Sequence, residues 1–168
     1  MRYARNALWR HCAQIVSTVD IPDPFDVATL VAGLAAGRGR PIELIPLAAQ
    51  PSTPCGVLAA TDRTDYVFYT ADTSPLHQEH ILLHELGHLL CGHVGSSGLD
   101  ETVSSVLMPN LPVELVRRVL GRTTYAEQQE QEAEMVASLI MHKARRGVPA
   151  EPVSSELERL HSAFGPGD

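Results

Sequence analysis

At 168 residues the chain has room for one domain with a substantial core, and a second full domain is not expected. Twenty acidic against 13 basic residues leave a formal charge of −7, which argues against a nonspecific nucleic-acid surface. The cysteines, Cys12, Cys55 and Cys91, are odd in number and form no C-x-x-C pair, which fits reduced thiols, and no stretch nears the about 18 apolar residues of a membrane span. The expectation is therefore a soluble, cytoplasmic protein without direct nucleic-acid or membrane contact.

From Tyr3 to Val19, apolar residues recur at three- and four-residue intervals, the period of an amphipathic helix, and Pro22 and Pro24 end it. Trp9 is expected to anchor this helix at the core or its edge. A second helix is expected from about Phe25 to Ala36, with Asp23 as N-cap and Pro24 at the first helical position. The Gly37-Arg38-Gly39-Arg40 run then reads as a plain turn. Pro41 to Leu47 alternates like a short strand that its two prolines confine to an edge or a strand end. Gly56–Ala60 and Asp65–Thr70 flank a four-residue loop and carry a hairpin signal.

Ser74-Pro75 supplies an N-cap and a first helical residue, and Gly92 a stop, for a helix that contains His84-Glu85-Leu86-Gly87-His88. This is an H-E-x-x-H pattern. At about 100° per residue, His84 and His88 lie about 40° apart and one turn apart, close enough to bind one metal ion. Leu82, Leu83, Leu86, Leu89 and Leu90 cluster on the opposite side, so the helix has an apolar back and a histidine front. Glu85 falls beside the pair, placed to act on a water as general base. His93 does not complete the longer H-E-x-x-H-x-x-G-x-x-H pattern, because Cys91 stands where glycine is required and Val94 where the last histidine belongs. It is expected behind the ligands or at the surface.

Residues 94–110 read as loop or short helix, either a lid or a bland connector. Pro112 opens a short helix from Val113 to Leu120, with Arg117, Arg118 and Arg122 along one side. Thr124 to Met141 has strong helix propensity. Glu127, Glu130 and Glu134 share its wet face, whereas Glu132 projects between Val136 and Leu139 on the apolar stripe. A buried carboxylate is costly unless it is paired or bound to metal, so Glu132 is the expected third ligand. Glu127, Glu130, Asp100 and Glu101 are the alternatives, and an arginine partner for Glu132 would remove it from the set.

The sequence HELGHLLCGH, followed by a helix carrying Glu132-Ala133-Glu134-Met135-Val136-Ala137, resembles the ImmA/IrrE family of intracellular zinc metallopeptidases. It departs from that family in Glu134 for the usual Asn or Asp, Val136 for Phe, and His142 where a proline often follows. The resemblance covers roughly residues 40–141 and implies a zincin-like fold with a small sheet ahead of the H-E-x-x-H helix and a later glutamate-bearing helix; with the N-terminal helices read above, the expectation is an α+β single domain over residues 1–146 whose small sheet is mainly antiparallel. Residues 147–168 would form a short helix and tail. It further implies Zn2+ on His84, His88 and Glu132, and hydrolysis of a peptide bond in a regulatory protein, of repressor or antitoxin type, such as a helix-turn-helix regulator encoded nearby. Matching the family segment residue by residue also puts the ligand at Glu132. Glu85 would be the catalytic base, and Tyr125 and His142 are candidate oxyanion donors. The rival reading is a zinc-bound interaction module in a regulatory or toxin-antitoxin system that holds a partner without cutting it.

Overall fold

The computed structural model describes residues 2–49, 54–60, 63–93, 96–97 and 123–146. Within them the architecture is α+β, four helices around a small three-stranded sheet. The first helix, α1 (Arg2–Ser17), turns Cys12 and Val16 into the core. Trp9 does not anchor it to the core: the residue is 52% exposed, and Leu8 beside it packs on the buried cluster.

Helix α2 (Val27–Arg38) starts later than its sequence suggests. Asp26, not Asp23, is the cap: its Oδ2 accepts from the Thr29 backbone N–H and from the Thr29 hydroxyl, each at 2.7 Å. Pro24, joined to Asp23 by a cis peptide bond, lies outside the helix. Gly39 closes it at φ 63°, the left-handed conformation that glycine adopts without steric cost. The arginines on either side of Gly39 do more than turn the chain. Arg38 Nη2 lies 3.3 Å from Asp65 Oδ2, and Arg40 meets the same carboxylate through Nε at 3.1 Å and Nη2 at 2.9 Å. Asp65 is fully buried at the start of a central strand, so this cluster pins the end of α2 to the sheet.

Strand β1 (Ile42–Leu47) is an edge, as its prolines require. β2 (Gly56–Ala60) and β3 (Asp65–Thr70) form the expected antiparallel hairpin, with Val57 opposite Phe68 and Leu58 opposite Val67. β3 then inserts between β2 and β1 and pairs with β1 in parallel, Leu44 opposite Val67. The sheet is thus mixed, with one ladder of each kind, where a mainly antiparallel sheet was expected. The short β2–β3 connection makes the hairpin legible in the sequence, whereas the parallel pairing of β3 with β1 joins strands that are not consecutive in the chain.

Helix α3 (Pro75–Cys91) has the caps its sequence specifies: Ser74 Oγ accepts from the His77 backbone N–H, Pro75 occupies the first turn, and Gly92 ends the helix at φ 68°. Its leucines Leu82, Leu83, Leu86 and Leu89 are buried. Two short strands, β4 (Ser96–Ser97) and β5 (Thr123–Thr124), pair antiparallel, Ser96 opposite Thr124. The remainder of the connector, the helix expected from Val113 to Leu120, and the tail helix lie outside the described residues. Helix α4 (Glu127–Arg146) crosses α3 through small residues. A Cβ on Gly87 would lie 2.6 Å from the carbonyl oxygen of Ala133 and 2.9 Å from its Cα, so the two backbones touch only because residue 87 has no side chain. No described helix is long and apolar enough to cross a membrane.

Candidate metal centre

The seam between α3 and α4 decides which acid meets the histidines. The fully buried residues of α4 are Ala133, Val136, Ala137 and Ile140, whereas Leu139 is only half-buried. The apolar stripe is therefore centred on the alanines, and its two flanks carry Glu130 on one side and Glu132 on the other. Glu130, one turn before Ala133 on the flank that faces His84 and His88, is the acid that reaches the pair.

His84 Nε2 and His88 Nε2 lie 3.1 Å apart. Glu130 Oε2 lies 3.2 Å from the first and 3.7 Å from the second. Tetrahedral ligands at about 2.1 Å from a zinc ion stand about 3.4 Å from one another, so these separations are compatible with three donors to one ion. The donor set of two imidazoles and a carboxylate suits a borderline divalent metal. These three residues can hold a metal ion, and among the described residues no fourth donor joins them. His88 is 1% exposed, and burial drives its pKa down to about 3, helped by His84 and His93. It is held as the neutral imidazole that a metal requires.

Glu132 does not reach the pair. Its Oε2 lies 2.9 Å from His93 Nε2, and its Oε1 accepts from the Gln128 side chain at 3.0 Å. Those hydrogen bonds, the histidine's first, hold its carboxyl below the usual range. With Cys91 and His93, Glu132 forms a second group whose ligand atoms lie within 4.8 Å of one another. His93 is in turn 2.9 Å from His88, Nδ1 to Nδ1, so it sits directly behind one of the histidine pair. Glu134, on the flank with Glu130, lies 3.4 Å from His84 Nδ1 and 3.3 Å from His80 Nε2.

Glu85 is 6% exposed. Burial pushes its carboxyl from the ordinary 4.5 up to about 8, the charge of Glu130 pushes the same way, and a hydrogen bond from the Leu58 backbone N–H pulls back. A Cβ on Gly56 would stand 2.5 Å from Glu85 Oε1, so β2 begins with the one residue that leaves the carboxylate its place. Tyr125 stacks flat on the His88 ring, with centroids 3.6 Å apart and planes at 15°. Burial and the charges of Glu85 and Glu130 raise its hydroxyl pKa. His142 is exposed on α4, twelve residues beyond Glu130. At about 1.5 Å per residue it stands about 18 Å along the axis from the ligand, too far to contact anything bound there.

Sequence reasoning thus assembled His84, Glu85, His88 and Tyr125, ranked Glu130 behind Glu132, and missed Gly56 and Gly87. The signal for Glu130 was the alanine spacing at 133 and 137. No protein-family model, no curated protein and no solved structure matches the chain.

Proposed function

We propose that the chain is a zinc-dependent endopeptidase of the ImmA/IrrE type, with a zincin-like arrangement in which His84, His88 and Glu130 hold the metal and Glu85 is the general base. The observation that carries this reading is Glu85 itself: an acid buried beside a three-donor site, bonded to a backbone N–H and given room by Gly56, yet outside the ligand set. A purely structural metal site has no use for it. Three protein donors with an open fourth position are the pattern of hydrolytic rather than structural zinc. When bound, zinc supplies Lewis acidity that activates a water and polarises a carbonyl.

The chain's own residues do the rest. Glu85 takes the proton of the attacking water and delivers it to the departing amine nitrogen. A cation held by the neighbouring ligands would favour the ionised carboxylate that this transfer needs. β2 is an outer strand of the sheet among the described residues, and Glu85 accepts from its Leu58 N–H, which supports binding of an extended peptide along this side of the sheet, past Glu85. Tyr125, lying on the His88 ring, is the better candidate for steadying the developing oxyanion. The substrate class, a regulatory protein such as a helix-turn-helix repressor or antitoxin encoded beside it, comes from the family resemblance.

The test is to incubate zinc-loaded protein with that neighbouring gene product and look for fragments by mass spectrometry. Glu85→Gln should keep the metal and lose cleavage, and His84→Ala should lose both. Undiminished cleavage by Glu85→Gln removes Glu85 from the chemistry, and a partner that binds yet stays whole favours the non-cleaving module.

A further inference from the structure

Behind the ligands runs a line of polar atoms that the proposed hydrolysis does not use. His88 Nδ1 faces His93 Nδ1 at 2.9 Å, and His93 Nε2 faces Glu132 Oε2 at 2.9 Å. The His93 side chain is 5% exposed and that of Glu132 15%, so the line is largely shielded from water. It ties the loop just after α3 to the flank of α4 away from Glu130.

With His93 as a singly protonated, neutral imidazole, the direction of every hydrogen bond in this line follows from its last member. A carboxylate has lone pairs and no proton, so His93 Nε2–H must donate to Glu132. A neutral imidazole that is protonated on Nε2 has a bare Nδ1, which can only accept. His88 Nδ1 must therefore be the donor in the next bond. With its single proton on Nδ1, the neutral His88 ring has a bare Nε2, and that is the nitrogen 3.1 Å from His84 and 3.7 Å from Glu130. One acid on α4 sets the tautomer of a histidine two residues away in the chain of contacts.

We infer that Glu132 and His93 are positioning residues that fix His88 as its Nδ1–H tautomer and so present the Nε2 lone pair to the metal. The inference rests on the proposed metal site for its consequence, but not for its chemistry, because the tautomer exists in metal-free protein. It assigns Glu132 a task distinct from that of Glu130: orienting a ligand, not being one. Outer partners of this kind typically change metal affinity about 10–100-fold when removed.

Two measurements on the full chain test it. In metal-free protein, at a pH where the His93 ring is observed to be neutral, long-range proton–nitrogen NMR correlations of the His88 ring should show the proton on Nδ1, and Glu132→Ala or His93→Phe should release it to a mixture of tautomers. Zinc titration against a chromophoric chelator should then show one equivalent in all proteins, with the dissociation constant raised about 10–100-fold in those two variants. Glu132→Gln, whose amide oxygen still accepts from Nε2–H, should recover most of the loss. A proton on His88 Nε2 in the wild type, or affinities within twofold of wild type for both variants, overturns the inference. So does a second equivalent of zinc that Cys91→Ser removes, because His93 would then be a ligand beside Cys91 and Glu132. Failure of the metal site itself has a different signature: the wild type takes up no zinc, or Glu130→Ala binds as the wild type does, while the NMR result still decides the tautomer.

Discussion

Gly87→Ala tests the contact on which the whole site depends. The new Cβ would stand 2.6 Å from Ala133 O and 2.9 Å from Ala133 Cα, where ordinary contact begins near 3.4 Å. Both obstacles are backbone and neither can rotate away, so α4 must retreat by about 0.5–0.8 Å, the shortfall in those two distances. Such overpacking costs about 1–3 kcal/mol, against which alanine's better helix propensity returns roughly 1 kcal/mol. The net loss is up to about 2 kcal/mol, read from urea unfolding of the metal-free protein. The larger effect falls on the site, because Glu130 rides on α4 one turn from the contact and ligand distances tolerate only about 0.2 Å. Zinc affinity should drop by more than the about 10–100-fold that an outer partner supplies. Gly33→Ala is the control, since nothing lies within 4 Å of a Cβ there and α2 should gain about 0.5–1 kcal/mol. A Gly87→Ala protein as stable and as avid for zinc as the wild type would refute the packing of α3 on α4 described above.

Two further outcomes follow from buried charge. Glu85 holds its proton up to about pH 8 in the folded, metal-free chain but only to about 4.5 when unfolded, so its contribution to stability falls as pH rises between those values. His88 works the other way, losing stability as pH falls from 6.5 toward 3, and the two offset each other between 4.5 and 6.5. In chelator the wild type should therefore lose about 2 kcal/mol from pH 6.5 to 8, at about 1.4 kcal/mol per unit, and Glu85→Gln should not. Equal pH profiles for the two proteins would contradict the burial of Glu85. Asp65→Ala should cost about 2–4 kcal/mol by thermal or urea unfolding, because it removes the fully buried carboxylate that Arg38 and Arg40 both meet, with zinc stoichiometry unchanged. A loss under 0.5 kcal/mol would show that the α2 anchor lies elsewhere.

Local chemistry was legible wherever a single residue type has one structural use. Ser74, Pro75 and Gly92 bound α3 as written, the prolines of β1 put it at an edge, and the spacing of His84 and His88 alone brings two imidazoles to one point. Neighbouring acids blurred the same logic: Asp23 and Asp26 are equally good caps on paper, and only Thr29, whose amide and hydroxyl both reach Asp26, decides between them. The acid that meets the histidine pair was not legible, because periodicity gives angles around a helix but not where the partner helix presses. Large residues drew the expected stripe toward Leu139, whereas the closest approach is made by Gly87 and Ala133, which have little or no side chain to announce it.

What the sequence alone determined is therefore the list of parts: a histidine pair, a neighbouring acid that cannot share their role, and a later helix crowded with glutamates. Tertiary structure decided which glutamate does what. The α3–α4 contact turns Glu130 toward the pair and leaves Glu132 behind His93, because two helices in backbone contact at one point fix the facing of every residue within a turn of it.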